Sequence, residues 1–148
     1  NASVNELQET LVLKQYYHLG IAVDTDAGLL VPVLKDADRK SMLQLAQELG
    51  SISERARSRS LGPDDMKGGT FTVSNQGAIG GSHFTPIINK PEVAILGLGR
   101  TSMKPVVQAD GSIVGRPLLP ITVSYDHRVI DGGSAARFVV DLVKTLQE

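Results

Sequence analysis

Ile121 to Leu146, "ITVSYDHRVIDGGSAARFVVDLVKTL", runs from an apolar stretch through a charged junction into a second apolar pattern. The first five residues, with "LLP" before them, read as a strand entering a core. After the junction the period changes. Ala135, Phe138, Val139, Leu142, Val143 and Leu146 fall at helical spacing, which predicts a terminal helix with one apolar face. Between them lies Tyr125 to Gly133, "YDHRVIDGG", with His127 and Asp131 four residues apart before a glycine pair. Asp131 suits the N-cap of the helix, where a carboxylate satisfies free amide groups. His127 at a strand end, beside glycines that admit a close-packed ligand, also suits a base with a supporting carboxylate. Spacing alone leaves both readings open.

Working outward, strands outnumber helices. Thr10 to Thr25 reads as extended, and Asp26-Ala27-Gly28 signals a tight turn into a further strand over Leu29 to Leu34. Pro32 inside that strand predicts an edge or a bulge. Met42, Leu45, Ala46, Leu49, Ile52 and Ala56 form a helical stripe, with Asp38 or Ser41 as its cap. "LGPDDMKGG" ends it. In "TFTVSN" the alternation of Phe71 and Val73 with Thr70, Thr72 and Ser74 predicts a strand with one solvent-facing side. "EVAILGLGR" reads as a buried strand, and Met103 to Pro120 as a hairpin turning at Asp110-Gly111. Six or seven strands and two helices, segregated rather than alternating, predict an α/β fold of α+β-like two-layer form on a mixed sheet. Two helices cover only part of one sheet face, so further sequence or a partner subunit is expected to cover the rest.

The 148 residues suit one domain or part of one. Net charge is −1, which offers no electrostatic case for nucleic acid or an anionic membrane. Cysteine is absent, so disulfides, zinc–thiolate sites and cysteine nucleophiles are excluded. No apolar run approaches the ~20 residues of a membrane span. The start "NASVNELQET" has no initiator Met and no signal-peptide pattern, which suggests a processed or excised piece.

Most other candidate chemistry reads as structure. "GAIGG" and "GLGR" lack the spacing and flanking elements of phosphate loops. His18, His83 and His127 lie too far apart for paired metal ligands, and no metal is expected. His18 reads as a surface or satisfied core histidine, and His83 as a polar loop residue with a substrate-channel role as the lesser alternative. Asp64-Asp65 after Pro63 reads as the first turn of a short helix.

Three segments together carry more. "DHRVIDGG", "GGTFTVSNQGAIGG" and "GIAVDTDAGLLVPVLKDADRKS" resemble the catalytic, inner-core domain of the dihydrolipoamide acyltransferases of 2-oxo acid dehydrogenase complexes. The resemblance covers the whole chain, as the C-terminal portion of one catalytic domain, with no lipoyl or subunit-binding domain. It implies a chloramphenicol acetyltransferase-like fold and acyl transfer between dihydrolipoamide, carried on a separate lipoyl domain, and coenzyme A as substrate. His127 matches the family's base, Ser74 its oxyanion donor and Asp131 the acid of its signature. Asn75, Asp24 and Gly99 match positions around the coenzyme A site. A glutamine that contacts coenzyme A in some members is replaced here by Ser53 and is not carried over. The resemblance further implies homotrimers with the site between neighbouring subunits, built into a cubic core of about 24 chains or a dodecahedral one of about 60. E1 and E3 components would bind through domains outside this chain. Bacterial cytoplasm, or else mitochondrial matrix, is the expected location. The acyl group stays open among acetyl, succinyl and branched-chain. A core domain kept as a scaffold, without turnover, is the rival reading.

Overall fold

The computed structural model describes residues 1–147. Strands β1 (Ala2–Asn5) and β2 (Thr10–Leu13) pair as an antiparallel hairpin apart from the main sheet. The extended run predicted over Thr10 to Thr25 is therefore two strands. Its second part is β3 (Leu19–Thr25), which turns into β4 (Gly28–Leu30) and β5 (Val33–Leu34). Pro32 cannot donate a ladder hydrogen bond, and the expected strand splits around it. Both pieces still pair with β3 as a broken edge, bridged where the Ile21 amide donates to the Pro32 carbonyl at 2.8 Å.

Helix α1 (Met42–Arg57) opens with a capping box: the Gln44 amide donates to Ser41 Oγ, and the Ser41 amide to Gln44 Oε1. Ser41, not Asp38, is its cap. The helix lies against β3 and β5 through Ile52 and Ala56, both buried. Its first turns do not share that burial, and Met42, at the head of the predicted stripe, is 83% exposed.

Strands β6 (Phe71–Asn75) and β7 (Ala94–Leu98) follow. Then come the exposed hairpin of β8 (Ser102–Val107) and β9 (Ile113–Leu118), β10 (Ile121–Tyr125), and α2 (Gly132–Gln147). The β8–β9 loop turns over Ala109 to Gly111, as read from the sequence. The main sheet runs β10-β7-β6-β3, with the broken β4/β5 edge last. β3, β6 and β7 are mutually parallel, whereas β10 and the broken edge run antiparallel to their neighbours.

The expectation of a solvent-facing side on β6 is wrong. Thr70 and Thr72 are each 1% exposed, while Phe71, Val73 and Ser74 are half-buried. A parallel strand between two others is covered on both faces, so alternation there does not separate core from solvent. Each buried hydroxyl is accordingly bonded: Thr70 Oγ1 donates to the His18 carbonyl at 3.0 Å and Thr72 Oγ1 to Glu92 Oε2 at 2.6 Å. The opposite side of the row, Leu19, Phe71, Val73, Leu96 and Val123, faces Phe138 and Leu142 of α2 across an apolar cavity of about 510 Å³.

Candidate active site

At the end of β10 the Asp126 amide still donates to the Val93 carbonyl, at 2.8 Å, before the chain leaves the sheet. It then folds into a tight turn, closed by the Val129 and Ile130 amides on the Asp126 carbonyl. The Asp126 carboxylate takes the Arg128 amide, Nε and Nη2, the last at 2.7 Å. Those bonds hold its pKa down to about 2. Asp131 caps α2: its Oδ1 accepts the Ser134 amide at 2.9 Å and its Oδ2 the Ser134 hydroxyl at 2.7 Å. The same bonds lower its pKa. Both carboxylates of the junction are thus engaged by their own near neighbours. His127 stands between them on the exposed turn, its ring tilted against that of Tyr125 with centroids 5.7 Å apart.

Ser74 belongs to another part of the sheet. It lines a cavity of about 450 Å³ with Ala22, Val31, Thr72, Gln76 and Phe84. Asn75 follows, exposed, its Oδ1 accepting the Gly77 amide at 2.9 Å. Asp24 lies on β3, two residues past the partner of Ser74. Gly99 follows β7, and a Cβ there would stand 1.9 Å from the Ser82 carbonyl oxygen. Lack of a side chain at Gly99 therefore serves the packing of the loop from Gln76 to Pro91.

Strand register divides these residues into two groups. Ser74, Asn75, Asp24 and Gly99 gather at the carboxyl ends of the parallel strands. His127 and Asp131 lie at the opposite end, because β10 runs the other way. Ser74 is level with Gly97 and Thr122, whereas His127 lies beyond Tyr125, the partner of Ala94. With ~3.3 Å per residue and ~4.8 Å per strand, Ser74 and His127 are roughly 20 Å apart in one chain. A base and an oxyanion donor must flank one carbonyl, within hydrogen-bond reach of it. One copy of the chain does not supply that pair.

The other histidines have local explanations. His18 Nδ1 accepts the Asp36 amide at 2.9 Å, and its main chain is bonded to Thr70. His83 is exposed in a groove with Ser102, Lys104 and Leu119. Among the described residues no three His, Asp or Glu side chains cluster as metal ligands. No helix of the described residues is long and apolar enough to cross a membrane. Sequence reading missed Glu92, a carboxylate only 5% exposed. Its position two residues before the wholly apolar β7 was the available signal.

Residues 1–148 match the family described as 2-oxoacid dehydrogenases acyltransferase (catalytic domain). The dihydrolipoyllysine-residue acetyltransferase component of the pyruvate dehydrogenase complex from Staphylococcus aureus is 53% identical over 134 residues, 90% of this chain and 31% of that protein. Its counterpart from Azotobacter vinelandii is 52% identical over 138 residues, 93% of this chain and 22% of that protein. The chain thus spans less than a third of the length of these curated relatives. Among solved structures, the Azotobacter vinelandii dihydrolipoamide acetyltransferase superposes with a TM-score of 0.90 at 52% identity, over 96% of this chain and 58% of that one. That structure concerns the roles of a serine, a histidine and an asparagine in the catalytic mechanism. A truncated catalytic core of the 2-oxoacid dehydrogenase complex from Thermoplasma acidophilum gives a TM-score of 0.87 at 45% identity, over 99% of this chain and 64% of that one.

Proposed function

This chain belongs to the family of 2-oxoacid dehydrogenase acyltransferase catalytic domains, and from that premise we propose that it moves an acyl group between dihydrolipoamide and coenzyme A. The observation that carries the reading is the junction itself, an exposed histidine between two carboxylates that are each bonded to their own near neighbours.

Exchange of one thioester for another requires a base to form a thiolate and a donor for the charge on the tetrahedral intermediate. In this reading the His127 imidazole takes the proton of the coenzyme A thiol, and the thiolate adds to the acyl carbonyl. The Ser74 hydroxyl of a neighbouring copy donates to the resulting oxyanion. Collapse breaks the bond to the dihydrolipoyl sulfur, which leaves with the proton held by His127. Asp131 acts as a brace: it fixes the start of α2 and with it the turn that presents His127. Asn75, Asp24 and Gly99 lie at the Ser74 end, where coenzyme A would lie along the strand ends.

Separation of the two groups within one chain supports an assembly in which neighbouring copies complete each site, and trimers built into a larger core are the proposed form. One related structure is the cubic core of a pyruvate dehydrogenase multienzyme complex, with a TM-score of 0.88 at 52% identity over 94% of this chain. Acetyl is the proposed acyl group, because relatives at about half identity are acetyltransferases. Turnover of acetyl-, succinyl- and isobutyryl-dihydrolipoamide by the assembled protein tests all of this together. Acetyl transfer that is lost in His127→Ala is expected. Undiminished turnover in that variant would contradict the role of His127, and an assembled wild-type protein with no turnover would favour a scaffold.

A further inference from the structure

Glu92 is buried, and among the described residues no cation is bonded to it. Its Oε2 accepts the Thr72 hydroxyl at 2.6 Å, and its amide donates to the Asn89 carbonyl at 3.0 Å. Two glycines make room for this pair. A Cβ on Gly20 would stand 2.6 Å from Thr72 Oγ1, and one on Gly69 would stand 2.5 Å from Glu92 Oε1. A carboxylate in such a place costs free energy unless it is bonded, so the pair needs a reason beyond filling space.

Its position supplies one. Thr72 shares a face of β6 with Ser74 and lines the same cavity. Glu92 lines a second cavity, of about 840 Å³, which reaches Asp126 and Arg128 on either side of His127. Thr85, Pro86, Ile87 and Ile88 line both cavities and form the wall between them. The Thr72–Glu92 bond ties the strand that carries Ser74 to the far end of that wall.

We propose that Glu92 is a positioning residue: through Thr72 it anchors the Thr85–Ile88 wall on β6 and so shapes the ligand cavity beside Ser74. This rests on the acyl-transfer reading. What the role requires is an acceptor at Glu92 and a donor at residue 72, not a negative charge.

The test uses the full-length, assembled protein in four variants. Glu92→Ala and Thr72→Val remove the bond, whereas Glu92→Gln and Thr72→Ser keep an acceptor and a donor. Loss of a buried bond of this kind is expected to raise KM for the thiol substrates about tenfold or more in the first two. It should also speed exchange of the Glu92 amide, which donates to the Asn89 carbonyl where that wall ends, by a similar factor. The conservative pair is expected within about threefold of wild type in both measurements, a split that RT-scale effects do not produce. Unchanged exchange in Thr72→Val would overturn the tether. Faster exchange with unchanged KM, or Glu92→Gln as damaged as Glu92→Ala, would overturn the positioning role. If the wild-type protein transferred no acyl group, the acyl-transfer reading would fail by itself, and the exchange arm would still decide the tether.

Discussion

The two ends of the sheet hold their polar groups in opposite ways. At the His127 end the carboxylate bonds that shape the turn are short in sequence: Asp126 to Arg128 spans two residues and Asp131 to Ser134 three. At the Ser74 end the main-chain bonds join distant parts of the chain: the Gln76 amide donates to the Leu98 carbonyl at 3.0 Å and the Gly99 amide to the Pro120 carbonyl at 2.9 Å. The first end is organised by its own turn on an exposed surface, so it keeps its shape as long as that turn and α2 persist. The second end is organised by the core and depends on the whole sheet. The proposed site, assembled from both, needs the turn for its base and the core for its oxyanion donor.

The contrast predicts which substitutions act on chemistry and which on stability. The largest effects belong to the proposed reacting groups. His127→Ala is expected to lower kcat by roughly 10²–10⁴-fold, the range for general acid–base groups. Ser74→Ala should lower it by roughly 10²–10³-fold, the range for an oxyanion donor. Neither should change the melting temperature much, since His127 is exposed and Ser74 half-buried. A large loss of stability in either would break the division.

Asp131→Ala comes next. Loss of an N-cap costs about 1 kcal/mol, read as a lower denaturation midpoint, with a smaller effect on kcat than in His127→Ala. Asp131→Asn keeps an acceptor for the Ser134 amide and is expected near wild type. If Asp131→Asn lost activity as His127→Ala does, the acid would be more than a brace.

The smallest effect is at Glu92 and concerns pH. Burial pushes its carboxyl up, against the pull of the Thr72 and Asn89 hydrogen bonds and of Lys14. The native state then keeps this proton to higher pH than the unfolded chain does. Stability from this group is full below the unfolded value and is lost as pH rises through the folded one. Glu92→Gln should therefore flatten the melting temperature between the ordinary carboxylate range and neutrality and raise it at pH 7. A variant less stable than wild type at pH 7 would show that the charge is matched in the native state.

This contrast also separates what was legible in the sequence from what was not. The terminal junction, the Pro32 break, the Ser41 cap and the Asp110-Gly111 turn are local, and residue type with spacing carries them. The Thr70–Thr72 face was misread because alternation reports a solvent side only where a strand has one. The α1 stripe was overread, since periodicity marks an apolar face and not what covers it. The bond from Thr72 to Glu92 was invisible because the two residues are 20 apart in sequence. Family resemblance placed Ser74 and His127 in one mechanism. Register alone places them at opposite ends of the sheet.

The central claim, that each site takes its base and its oxyanion donor from different copies, has a direct test. His127→Ala and Ser74→Ala proteins, each inactive, are dissociated, mixed in equal amounts and reassembled. If sites form between copies, some interfaces join an intact His127 to an intact Ser74. Acyl transfer should then return to about a quarter of the wild-type level, the share expected from random mixing in a cyclic assembly. If each copy holds its own site, every copy in the mixture lacks one group. Activity that stays at the level of the separate variants would contradict the claim.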